Sequence, residues 1–239
     1  MTLISLFLRL IVVHQIADFP LQANWIFRIR QKYSWGPLVH IAPHVLVLAV
    51  LFLPFVGCWV YWANLVILAV THFIIDKIRK DNIWLLILDQ ALHAFVMFGQ
   101  AYLLLSCQPG ILPESWLLYW SDDRYWVWIL AFVLCTFTTS ILLYFIKMTW
   151  HSDYKQRGIF GFEKYFGDLF RFIIFTATAL IVCYQTYLLL PLLLIPFLVE
   201  FLFINRKRGP NTHYCDIYIS DVIIGSIIAL GMGFWAGIV

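Results

Sequence analysis

Eight side chains able to ligate a metal or carry a proton stand in four pairs, the members of each pair four residues apart: His14 and Asp18, His40 and His44, His72 and Asp76, Asp89 and His93. Four residues is close to one helical turn, so the two members leave the same helix face about 6 Å apart along its axis. Carboxylates and neutral imidazoles presented this way on facing helices are the means by which helical bundles hold zinc, manganese or iron. All eight are candidate metal ligands, enough for one or two divalent ions with some groups left to orient the others. Water bound to such an ion becomes a nucleophile once a base takes its proton, and Asp18 and Asp89 are the candidate catalytic carboxylates. Gln22 is placed to orient a ligand or to cap a helix after Pro20. A metal-free hydrogen-bond network between helices, or a proton or ion path, would use the same residue types.

The elements that must carry these pairs are apolar. The chain is 63% hydrophobic and only 12% charged over 239 residues, more apolar surface than a soluble domain of this length can hide. The expected fold is an all-α integral membrane protein, a polytopic helical bundle. The apolar runs are Thr2 to Phe19, Pro37 to Val56, Trp59 to Asp76, Ile83 to Cys107, Tyr125 to Ile146, Phe162 to Leu190, a shorter run past Pro191 and Pro196 to Ile204, and Ile217 to Val239. They give about eight transmembrane helices, or seven if the short run does not cross. Residues 1–107 form a four-helix half carrying the pairs, and residues 108–239 a second helical half of the same membrane domain. The first run lacks a basic leader and a small-residue cleavage site, so it is expected to be retained. Pro43 falls inside the second pair, which puts His40 ahead of the first helical turn, where proline is tolerated.

Lysine and arginine set the orientation. If the first helix runs from outside to inside, the inner loops hold Arg28, Arg30 and Lys32; Lys77, Arg79 and Lys80; Lys147, Lys155, Arg157 and Lys164; and Arg206, Lys207 and Arg208. The outer loops hold Arg124 alone, beside Glu114, Asp122 and Asp123. This is a positive-inside pattern with both termini outside, N-out and C-out. The pairs then end the first helix, begin the second, end the third and open the fourth, so all eight residues converge at the cytoplasmic side.

A second polar group falls on the same side: Glu163, Asp168 and Arg171, then Glu200, Asp216 and Asp221. Glu163 and Asp168 suit a helix N-terminus, while Glu200 and Asp221 call for partners such as Arg171 or the basic cluster at 206–208. Arg9, midway along the first run, has no partner assigned by spacing, and His151 and His213 fall in loops. The cysteines, at 58, 107, 135, 183 and 215, are odd in number and contain no CxxC; they read as small packing residues. There is no G-x-S-x-G, Walker loop, H-E-x-x-H or G-x-G-x-x-G, which removes serine nucleophiles and nucleotide hydrolysis, and no nucleic-acid module.

The segments H-Q-I-A-D-F-P-L-Q (14–22), T-H-F-I-I-D-K (71–77) and L-D-Q-A-L-H (88–93) resemble the bacterial membrane family catalogued as domain of unknown function 3307. The resemblance covers about the first hundred residues. A weaker likeness continues in G-F-E-K-Y-F (161–166), where Lys164 replaces an arginine, and in I-I-G-S (223–226), where the acidic residue is shifted to Asp221. It implies a multi-pass protein of a bacterial inner (cytoplasmic) membrane and carries no activity with it.

The function expected from these residues is divalent-metal-dependent hydrolysis of a lipid or lipid-linked phosphoester, with membrane lipid as surroundings and no nucleic-acid partner. A metal-ion or proton transporter would need polar groups continuing toward the outer face, where the sequence is poor in them. A non-catalytic accessory subunit would use the pairs only to hold helices together.

Overall fold

The computed structural model describes residues 1–22, 24–77, 82–110, 113–150, 162–206 and 215–239, with side chains for all of these except 24, 27, 28, 31, 162–166, 203–206 and 215–220. The expectations for Arg28, Arg79, Lys80, His151, Lys155, Arg157, Glu163, Lys164, Arg206, Lys207, Arg208, His213 and Asp216 lie outside the described residues or side chains. Every regular element among the described residues is helical, and the chain forms two compact units, Met1–Leu130 and Ala131–Val239.

The first unit is built on α1 (Leu3–Asp18), α3 (Gly36–Leu51), α4 (Trp59–Ile75) and α5 (Ile83–Leu104). In this square, α1 and α4 each pack against both α3 and α5. Local chemistry sets the ends: the Thr2 hydroxyl accepts from the Ser5 amide at 3.1 Å and the Asn82 side chain from the Leu85 amide at 3.0 Å, two N-caps. Short α2 (Asn24–Lys32) links α1 to α3 and α6 (Glu114–Ser121) follows α5; both fall between the apolar runs, in segments expected as loops, because neither is long enough to register as a span. α3 begins at Gly36, so His40 lies inside the helix rather than ahead of its first turn. Pro37 occupies the first turn, and Pro43 removes one backbone donor without ending the helix.

One end of this unit is apolar and tied. Leu6, Leu10, Leu48, Phe52, Phe55, Tyr61 and Leu104 fill it. A disulfide joins Cys58, before α4, to Cys107, beyond α5. That corrects the reading of these two cysteines as packing residues: their separation of 49 residues hides a proximity that only the helical square creates. Arg9 also finds its partners here. Its guanidinium donates to Asp123 at 2.6 Å, to the Ser5 carbonyl at 2.7 Å and to the Trp120 carbonyl at 2.9 Å, and lies over the Trp120 and Trp126 rings.

In the second unit α7 (Asp123–Val133, begun in the first) continues through a π-helical turn, Leu134–Thr138, into α8 (Thr139–Trp150). Then come α9 (Phe162–Cys183), α10 (Leu194–Arg206) and α11 (Cys215–Ile238). α9 stops short of the expected Leu190, because Gln185 takes a left-handed φ of 56° and the Thr186 amide bonds back to the Ile181 carbonyl, closing a Schellman-type end. α11 packs closely on α9 through Gly233 and Gly237: a Cβ at either would meet an α9 backbone carbonyl, of Phe175 at 2.6 Å or Ala179 at 2.7 Å. Asp168 pairs with Arg171 and Ser140, and Asp221 with Lys147. Glu200 and Arg171 both flank Gly167.

Three helical segments, Ile83–Leu104, Asp123–Trp150 and Asp221–Ile238, are long and apolar enough to cross a membrane. α1, α3 and α4, with 16, 16 and 17 residues, are roughly 24 to 26 Å long at 1.5 Å per residue, short of a full hydrocarbon core.

Candidate metal centre

At the end of the first unit opposite the disulfide, the last turn of α1 supplies His14 and Asp18, and the first half of α3 supplies His40 and His44. The end of α4 supplies His72, with Asp76 as its cap residue, and α5 supplies Asp89 and His93 after its first turn. One-turn spacing puts each pair on the inward face, and the alternating direction of the helices brings the four pairs to one level. All eight are buried, none more than 7% exposed.

Their ligand atoms interlock in three overlapping groups: Asp18, His40, His44 and His72; His14, His72 and His93; and Asp76, Asp89 and His93, each with ligand atoms within 4.8 Å of one another. Nε2 of His40 lies 3.0 Å and Nε2 of His44 3.4 Å from Asp18 Oδ1, while the other carboxylate oxygen, Oδ2, faces His14 Nε2 at 3.3 Å. Asp76 Oδ2 lies 3.4 Å from His40 and 3.5 Å from His72, and His93 Nε2 stands 3.8 Å from Asp89 and 3.9 Å from Asp76. The imidazoles form a continuous stack, with ring centroids 3.9 Å apart for His44 and His72 and 4.2 Å for His72 and His93.

These distances fit a shared cation. Ligands about 2.1 Å from a tetrahedral ion stand about 3.4 Å from each other, the spacing found around Asp18. Among the described residues, Nε2 of His72 and His93 is buried without a hydrogen bond, although carboxylate oxygens lie close. Nδ1 of His44 donates to the His40 carbonyl at 3.0 Å, which turns Nε2 into the cluster. Gln22 contacts Nδ1 of His40 at 3.3 Å, so it does face a candidate ligand. The carboxylates of Asp18, Asp76 and Asp89 are all buried in the cluster, and Arg30 donates to Asp76 Oδ1 at 2.8 Å; a divalent ion would offset the cost of burying negative charge there.

Three groups escaped the spacing argument. Gln90 Nε2 donates to both Asp18 Oδ2, at 3.2 Å, and Asp89 Oδ2, at 3.1 Å, and Gln15 Nε2 donates to Gln90 Oε1 at 3.2 Å. Arg30 is the third. Gln15 and Gln90 each adjoin a paired residue in the sequence, a signal that periodicity counted on charged and imidazole groups passes over. The second polar group, around Arg171, belongs to the other unit.

All eight residues, with Gln15, Gln22, Arg30 and Gln90, fall inside one family match. Residues 6–118 match DUF3307, protein of unknown function. This is the family that the segments at 14–22, 71–77 and 88–93 resemble, and the DUF3307 segment ends within α6. No curated protein and no solved structure matches the chain.

Proposed function

We propose that this protein is a divalent-metal-dependent hydrolase of a bacterial inner membrane, with a cytoplasm-facing site that acts on a lipid or lipid-linked phosphoester. The observation that carries the metal reading is the convergence of five buried imidazoles on three carboxylates, with their ligand atoms in three overlapping groups. His14, Asp18, His40, His44, His72, Asp76, Asp89 and His93 would hold one or two ions of zinc, manganese or iron. When bound, such an ion supplies Lewis acidity and lowers the pKa of water. Asp18 and Asp89 are the bases, and Gln90, bonded to both, orients the two carboxylates.

Membrane residence is supported by an inverted surface. On α4 the inward face carries Asn64 and His72, while Trp62, Val66, Val70 and Ile74 form an exposed stripe at one-turn spacing. A water-soluble bundle reverses that order. The distribution of lysine and arginine supports eight crossings, N-out and C-out, with α1, α3 and α4 as short ones. The disulfide, at the end away from the pairs, suits an oxidising outer compartment. A transporter is disfavoured because Leu6, Leu10, Leu48, Phe52, Phe55 and Tyr61 pack the outer half of the first unit.

The test is phosphate release from lipid phosphomonoesters and phosphodiesters in mixed micelles. Hydrolysis that stops with chelator, returns with metal and is absent in Asp89→Asn supports the reading. Metal-loaded protein that hydrolyses none of them contradicts it.

A further inference from the structure

Arg30 stands apart from the groups around it. It is on α2, outside the helical square, yet its Nη2 donates to Asp76 Oδ1 at 2.8 Å. Its side chain is 14% exposed where that of Asp76 is fully buried, so it reaches the candidate ligands from the surface. Its position is fixed by backbone: a Cβ on Gly36 would meet the Ile29 carbonyl at 2.3 Å and the Arg30 Cα at 2.6 Å. Only glycine lets the last turn of α2 lie on the first turn of α3 this closely. Guanidinium has five N–H donors in a planar fork. Among the described residues Arg30 makes only the Nη2 bond to Asp76, and its remaining donors meet no acceptor there.

A cation held beside the candidate ligands, with donors to spare and a path to the surface, is suited to an anion that also reaches the metal. We propose that Arg30 binds a phosphate group at this centre, taking its oxygens with the donors that Asp76 leaves free, while the metal takes another oxygen of the same group. Fork-shaped donors match phosphate oxygens in a way that a lysine point charge does not. The surroundings of α2 suit a phosphate at headgroup depth: Leu21, Trp25, Tyr33 and Trp35 are all exposed, Tyr33 stacks on Trp35, and Lys32 lies over Tyr33. Aromatic side chains of this kind gather at the lipid–water interface. Without metal the carboxylates repel a phosphate, so binding of the two is linked and each raises affinity for the other.

The proposal rests on the metal reading, and the test separates them. Full-length protein in phosphatidylcholine nanodiscs is loaded with cobalt(II), and its visible spectrum is followed as inorganic phosphate is added, or as phosphatidate replaces part of the lipid. The expected result is stoichiometric cobalt in wild type and in Arg30→Gln, a spectral change with phosphate in wild type, and a response at least about tenfold weaker in Arg30→Gln, the scale of a lost hydrogen bond to a charged group. Arg30→Lys should recover only part of it. Response to phosphatidate alone makes the ligand a lipid headgroup, and response to inorganic phosphate makes it a free or soluble phosphate. An Arg30→Gln protein that responds like wild type, or that loses its cobalt while Arg30→Lys keeps both cobalt and the full response, overturns the assignment. Wild-type protein that binds cobalt but ignores both phosphates overturns this proposal alone, whereas wild type without cobalt overturns the metal reading as well.

Discussion

Gln90 on α5 donates through one nitrogen to Asp18 on α1 at 3.2 Å, while the same nitrogen donates to its own neighbour Asp89 at 3.1 Å. One amide therefore sets the orientation of carboxylates on two helices, and Gln15 in turn fixes that amide. Partners of ligands affect metal affinity by about 10- to 100-fold. Gln90→Ala should lower metal affinity by about that factor while the helical circular dichroism stays unchanged. Competition titration with a chromophoric chelator reads the change, and unaltered affinity would remove Gln90 from this role.

Arg9 is fully buried and its ion-pair partner Asp123 is half exposed. Removing only the carboxylate leaves a buried charge less compensated, at a cost of roughly 2 kcal/mol once solvent screening at Asp123 is allowed for. Asp123→Ala should lower the thermal midpoint, and adding Arg9→Met should recover part of the loss. Metal content should not move in either protein, because this network lies at the opposite end of the unit.

The Cys58–Cys107 bridge closes 49 residues, which in a chain-entropy treatment is worth about 4 kcal/mol. Cys58→Ser should lower the thermal midpoint under oxidising conditions and abolish its dependence on reductant. The bridge also reports topology. After reduction, a membrane-impermeant maleimide added to intact cells should label Cys58 and Cys107 in a variant lacking the other three cysteines. Labelling only after permeabilisation would reverse the proposed orientation.

Gln185 holds a left-handed conformation that costs a residue with a Cβ about 1 kcal/mol. Gln185→Gly should raise the stability of the second unit by about that amount, measured by thermal unfolding in detergent. A drop would mean that its side chain contributes more than its backbone costs.

The four pairs were legible because helical spacing is local: His14 and Asp18 share a face whatever the rest of the chain does. Their meeting at one level followed from alternating helix direction. What lay beyond reach depended on pairings across the square. Cys58 and Cys107 looked like packing residues until α4 and α5 were side by side, and Arg9 had no partner until Asp123 came to it over 114 positions. Arg30 read as a topology signal because an arginine just past an apolar helix ordinarily is one; its contact with Asp76 needs α2 to fold back onto α3. Lys147 and Asp221 escaped for the same reason, being 74 residues apart.

The central claim is that the His and Asp cluster holds a divalent metal. Protein purified in mild detergent without chelator, and analysed by plasma mass spectrometry, tests it most directly, with His72→Ala as the comparison because His72 belongs to two of the three ligand groups. One or two equivalents of zinc, manganese or iron in wild type, falling to a small fraction in a folded His72→Ala protein, is the result predicted. Wild-type protein with no stoichiometric metal, even after incubation with each ion, would contradict it.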